Sequence, residues 1–316
     1  MTTAIHGPHQ AIAADNAHDR FLADLFDTLW ERYRQRVSYV RTYEEVVHRA
    51  GATFFNDHIA FRTFSSQVPM AGIATLSRIF ETLGYRAAGC YHFDDKHLSA
   101  IHLQHPNGRF PKLFISELQT WKLSAVSREI ISRTVQSHRL PVSDETLARL
   151  AHCETLASQD RSDLLQRIVH EFHDLPWNLP NKPDVAALNQ ESQYAAWVLV
   201  HGYNVNHFTS LINSHGVDEL ADIERTIDAL KKVGVPMKAE IEGARGTKLR
   251  QTATEAVTID VAVNDGGQKG TIPWTYAYFE LAERGEVQDP ETGRHGRFEG
   301  FLGPQATNLF EMTRKK

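Results

Sequence analysis

Cysteine is scarce in this chain of 316 residues: Cys90 and Cys153 are the only two, too few for a disulfide framework and not paired at metal-ligand spacing. A reducing, cytoplasmic setting is the expectation. Long apolar runs are missing as well. The longest, "YAAWVLV" at 194 to 200, falls far short of the roughly 20 residues of a membrane span. The amino terminus lacks the basic stretch and apolar core of a secretion signal, so no membrane role is expected. Positive charge is not in excess either. A formal net charge of -5 argues against a nucleic-acid binder working through a clustered basic face. Familiar loop motifs are absent too: "GARGTK" is not a phosphate-binding loop, no G-x-G-x-x-G follows a strand, and no G-x-S-x-G elbow occurs.

What is present is the material of a folded protein. Hydrophobic residues at 41% and charged residues at 23% suffice for a sizeable core. The first 18 residues read as a loose arm, and residues 19–50 carry apolar side chains at helical spacing, with Phe21, Leu22, Leu25, Phe26, Leu29, Trp30 and Tyr33 on one stripe. Residues 51–122 then read as β-α-β-β-β. Helical periodicity returns over 123–201, broken by the three prolines of "DLPWNLPNKP". Residues 202–285 repeat the earlier order, with strands expected near 204–212, 237–243, 248–262 and 272–283, and 286–316 form a tail.

Two local echoes support a duplication: "HIAFRTF" and "HFTSLI" each open a unit, while "LFISELQ" and "YAYFELAER" each close one. The expected architecture is a single α+β catalytic domain over 1–316. In it two βαβββ units shield each other's edges by forming an incomplete barrel, with a substantial helical portion packed around it.

Strand side chains alternate faces, so His58, Ala60 and Arg62 share one side of the first strand. His207 opens the second unit in the same manner, and Glu280 lies on its last strand. If the units pack as a barrel, these three converge as a two-histidine, one-carboxylate set. Such a set holds one face of a divalent metal and leaves positions for substrate and O2, as in non-haem Fe(II) oxygenases; zinc or manganese would also accept it. Arg62 pointing into a barrel calls for an anion, which a carboxylate substrate would supply in bidentate fashion. Glu117, taken as the first-unit counterpart of Glu280, reads as a secondary or structural residue.

"HIAFRTF", "VNHFT", "LRQTAT" and "YAYFELAERG" together resemble the 2-oxoadipate dioxygenase/decarboxylase family of the vicinal-oxygen-chelate, glyoxalase-like superfamily, from about residue 20 to "GFLGPQATNLFEMT". The chain is similar to the shorter members. The resemblance implies Fe(II) on His58, His207 and Glu280, with Ni, Zn or Mn possible in a purified sample. It implies Arg62 as a catalytic, substrate-contacting residue, and it directs attention to Gln251, within "LRQTAT", as a substrate contact. The implied reaction converts 2-oxoadipate and O2 to 2-hydroxyglutarate and CO2, a step of lysine breakdown. Two other readings stay open: an O2-independent metal-dependent isomerase or lyase of the glyoxalase class, and a non-enzymatic ligand-binding barrel.

Overall fold

Asn16 opens the first helix by accepting a hydrogen bond from the Asp19 N–H at 2.9 Å, the task short polar side chains perform at helix starts. In the computed structural model, which describes residues 7–140, 142–288 and 293–302, helix α1 (Ala17–Arg36) buries the apolar stripe expected from its spacing. Helix α2 (Ser38–Arg49) follows after a break at Val37. The arm expected over 1–18 is anchored from residue 8 onward. Pro8–Ala11 form a 3-10 turn, and buried His9 reaches Asp27 through its backbone N–H at 3.1 Å and its ring Nδ1 at 2.7 Å. Residues 1–6 lie outside the described residues.

Strand β1 (Asn56–Phe64) is buried along its whole length, and α3 (Ile73–Thr82) crosses from it to β2 (Arg86–Phe93), β3 (Leu98–Gln104) and β4 (Lys112–Leu118). A helical stretch comes next: α4 (Ala125–Val135), α5 (Asp144–Ala151), α6 (Ser158–His173), α7 (Lys182–Glu191) and α8 (Gln193–His201). Serines 124, 143 and 192 cap three of these helices. The second unit supplies β5 (Val205–Leu211), α9 (Ile223–Lys232), β6 (Leu249–Ala253) and β7 (Glu280–Arg284).

The seven strands form one curled sheet in the order β2-β3-β4-β1-β5-β7-β6. In each unit the first strand runs parallel to the last, β1 beside β4 and β5 beside β7. The units meet where β1 pairs antiparallel with β5. This seam lies mid-sheet, with α8 behind it, and α8 is buried from Tyr194 to His201.

The second unit departs from its expected strands in two places. Residues 237–243 form no strand of their own; they run beside β6 and its end through the bridges Met237–Thr254 and Glu242–Gln251, the Lys238 N–H donating to the Ala253 carbonyl at 2.8 Å and the Thr252 hydroxyl donating to the Glu240 carbonyl at 2.9 Å. The chain also leaves the sheet after Ala253 and returns at Glu280. Between them Thr258–Asp265 and Gln268–Thr275 pair as a separate hairpin, turned by Gly266 and Gly267, whose positive φ angles of 64° and 91° suit a tight two-residue turn.

Helix α6 turns one carboxyl inward. Glu171 is 1% exposed, and burial pushes its pKa up to about 7. A carboxyl whose folded pKa exceeds its unfolded one costs stability as pH rises through the interval between the two. Glu171→Gln keeps an acceptor for the Val142 N–H, at 3.3 Å from Glu171 Oε2. It is expected to exceed the parent in stability above pH 7 by up to about 3 kcal/mol, with the gain gone near pH 4. Urea melts at the two pH values check this.

Candidate metal centre

The seam between β1 and β5 brings the predicted ligands together. Across it His58 pairs with Thr209 and Ala60 with His207, while Thr209 also pairs with Glu280 on β7. His58, His207 and Glu280, all buried, place one ligand atom each within 4.8 Å of the others. His58 Nε2 lies 3.3 Å from Glu280 Oε1, and His207 Nε2 lies 3.5 Å from Glu280 Oε2.

Each imidazole is held from behind. Asp57 Oδ2 lies 2.8 Å from His58 Nδ1, and Asn206 Oδ1 lies 3.0 Å from His207 Nδ1. Both acceptors favour a proton on Nδ1, which leaves the Nε2 lone pair for a cation, as outer acceptors do for metal-bound histidines. Burial alone would lift the Asp57 carboxyl, but Arg284 beside it and hydrogen bonds from His58 and Arg284 hold it well below the usual carboxylate range. Burial likewise opposes charge on His58, yet hydrogen bonds to Asp57 and Glu280 raise its pKa overall. Burial and the nearby positive charges of His58 and Arg62 drive His207 well below its ordinary value.

The donor set fits a divalent metal. Two Nε2 atoms converge on one carboxylate, and Glu280 Oε2 is buried with no hydrogen-bond partner among the described residues. Glu280 Oε1 accepts from Gln251 Nε2 at 2.6 Å, and Thr209 Oγ1 lies 3.0 Å from His58 Nε2. A second group, His18, Cys153 and Glu154, is also compact, but its features do not suit a metal. Its His18 Nε2 lies 3.2 Å from the Ala151 carbonyl, Glu154 is exposed, and burial pushes the Cys153 thiol up.

Beside the triad lies a cavity of about 40 Å³, into which Arg62, Ser116, Gln251, Tyr278 and Phe301 project. Arg62 is 2% exposed, with its guanidinium carbon 5.0 Å from the Tyr194 ring and 5.4 Å from the Trp197 ring of α8. The two rings keep its charge attractive in a buried place. Gln251 faces the cavity, while Arg250 turns the other way to Glu224 and Glu283. Phe301 lines the cavity as well, its ring centroid 5.0 Å from that of His58 and 5.1 Å from that of Phe114.

Glu117 is not the counterpart of Glu280. Its Oε2 accepts from the Ile73 N–H at the start of α3 at 2.9 Å, and Glu283 does the same for Ile223 at the start of α9 at 2.8 Å. The true equivalents are therefore Glu117 and Glu283. Three residues before them stand Phe114 and Glu280, so only the second unit offers a ligand at this place.

Asp57, Asn206, Thr209 and Arg284 support the site beyond the residues expected from the sequence. A register shift between Asn56 and His58 breaks strict alternation at Asp57, which frees its carboxylate to meet the neighbouring imidazole. The available signal was the pair "DH" and "NH", each ligand histidine preceded by a short acceptor.

The sequence profile of the 2-oxoadipate dioxygenase/decarboxylase family matches residues 25–299. The chain belongs to this family. It is thus an enzyme of the dioxygenase/decarboxylase class. A family relative, the 2-oxoadipate dioxygenase/decarboxylase of Oryza sativa subsp. japonica, designated chloroplastic/amyloplastic, is 28% identical over 97% of this chain and 82% of its own length. The crystal structure of hydroxyglutarate synthase from Oryza sativa in complex with 2-oxoadipate superposes with a TM-score of 0.74 at 25% identity, covering 99% of this chain and 97% of that one. A structure from Ralstonia eutropha JMP134 assigned to the glyoxalase superfamily shares the fold. It superposes with a TM-score of 0.78 at 23% identity, covering 92% of this chain and 90% of that one. Among the described residues no helix is long and apolar enough to cross a membrane.

Proposed function

We propose that His58, His207 and Glu280 hold Fe(II), and that this enzyme converts 2-oxoadipate and O2 to 2-hydroxyglutarate and CO2. The observation that carries the reading is the triad itself: two imidazoles, each fixed at Nδ1, aim their Nε2 atoms at one buried carboxylate. When bound, the metal supplies Lewis acidity toward the 2-oxo acid and one-electron chemistry toward O2.

The chain's own residues do the remaining work. Arg62 offers a planar, permanently charged donor fork from the same cavity, suited to a substrate carboxylate. Gln251 orients Glu280 and presents its amide beside the cavity, which also makes it a candidate substrate contact. Tyr278 stacks on His207 at 4.8 Å and fixes the ring plane. Phe301 covers the mouth and limits entry of water, which protects reactive species formed within. Cys90 and Cys153 are both free, in keeping with the reducing, cytoplasmic compartment we assign to the protein.

The test is anaerobic loading of metal-free protein with Fe(II), followed by oxygen uptake and mass-spectrometric product analysis with 2-oxoadipate. We expect one O2 consumed and one CO2 released per 2-hydroxyglutarate formed, and no turnover under nitrogen. Turnover without O2 would point to the isomerase or lyase chemistry instead.

A further inference from the structure

We infer that Arg284 is a positioning residue that couples the seating of segment 298–301 to the orientation of His58; this rests on the reading of the triad as a metal site. Its guanidinium, 0% exposed, stands between the two. On one side Nε and Nη2 donate to Asp57 Oδ1 and Oδ2 at 2.5 and 2.7 Å, a bidentate pair, and the same Oδ2 accepts from His58 Nδ1 at 2.8 Å. On the other side Nη1 donates to the carbonyls of Phe298 and Gly300 at 2.9 and 2.8 Å. The Phe301 ring then lies 5.4 Å from the guanidinium carbon and 5.0 Å from the His58 ring.

The backbone of Arg284 is fixed independently of these bonds. Asn213 clamps it, accepting from its N–H at 2.8 Å and donating to its carbonyl at 3.0 Å. The neighbouring Gly285 carbonyl accepts from the Phe298 N–H at 2.9 Å, and Glu286–Gln288 just beyond it pair antiparallel with His295–Arg297. Strand β7 and the segment therefore run in close register. What the two tasks share is one side chain.

That sharing makes them interdependent. Lifting 298–301 strips Nη1 of both acceptors and opens the Asp57–Arg284 pair to water, which weakens its hold on the imidazole. A metal that fixes His58 should by reciprocity favour the seated segment. The roof over the cavity and the ligand beneath it then order together.

Co(II) is a suitable probe, since its visible absorption reports binding without turnover. Metal-free parent protein would be titrated with Co(II), and amide hydrogen exchange of residues 298–301 followed with and without the ion. In the parent we expect Co(II) to slow exchange in this segment. Arg284→Lys keeps the charge but loses the fork, so we expect Co(II) affinity to fall about 10-fold or more and the metal-dependent protection to disappear. The double variant Asp57→Asn with Arg284→Gln removes both buried charges together and should fold with the same loss of coupling. Should both variants bind Co(II) as the parent does, or retain the metal-dependent protection, the inference is overturned while the triad reading stands. A parent that takes up no Co(II), or whose uptake is unchanged in Glu280→Gln, defeats the triad reading and this inference with it.

Discussion

Glu280→Gln is expected to empty the metal site and abolish turnover while leaving the fold in place. The residue is fully buried at the start of β7, with an imidazole nitrogen 3.3 Å from one oxygen and another 3.5 Å from the other. Glutamine preserves the shape and can still meet Gln251 across the 2.6 Å contact through its carbonyl. It cannot supply the charge. Removing one member of a buried, charge-compensated set costs about 3–5 kcal/mol, which corresponds to a loss of metal affinity on the order of 10³-fold. Metal content after dialysis against a weak chelator, together with oxygen uptake on 2-oxoadipate, measures the two effects. A variant that keeps full metal and the parental kcat would exclude Glu280 from the centre.

That position was legible because three simple regularities agree on it. Alternation along β1 puts His58 and Arg62 on one face, the repeat supplies His207 at the head of β5, and the closing strand carries Glu280. The seam that joins the units was also accessible, since two sheets with open edges have a reason to pair there. Other features were not accessible, each for a physical reason. Asp57 sits at a register shift, which strict alternation does not foresee. Arg284 shares a strand face with Glu280, yet its partners Asp57 and Phe298 come from distant parts of the chain, and the sequence does not show them meeting. The hairpin of 258–275 reads as sheet strands by composition, and only the glycine pair at 266 and 267 marks where the chain folds back outside the sheet. Glu117 misled through resemblance: "ISEL" and "YFEL" look alike, but it is Glu283 that repeats its helix-capping role.

Arg62→Met is expected to erase the preference for a dicarboxylate. The guanidinium lies buried against Tyr194 and Trp197 of α8 and lines the same cavity as the triad. Two charge-assisted hydrogen bonds to a substrate carboxylate contribute about 3–5 kcal/mol, so kcat/KM for 2-oxoadipate should fall on the order of 10²- to 10³-fold. Arg62→Lys keeps the charge without the planar fork or the stacking, and should recover only part of that loss. A substrate series locates the carboxylate that Arg62 binds. If it holds the end far from the 2-oxo group, Arg62→Met should process 2-oxohexanoate about as well as the parent does, and the discrimination between the six-carbon mono- and diacid should collapse. Were Arg62 instead to grip the carboxylate next to the keto group, both acids would decline together. Metal content must stay at the parental level in either case, because the triad draws its support from Asp57, Asn206 and Gln251. Loss of metal in Arg62→Met would assign the arginine to the centre's architecture and not to substrate recognition.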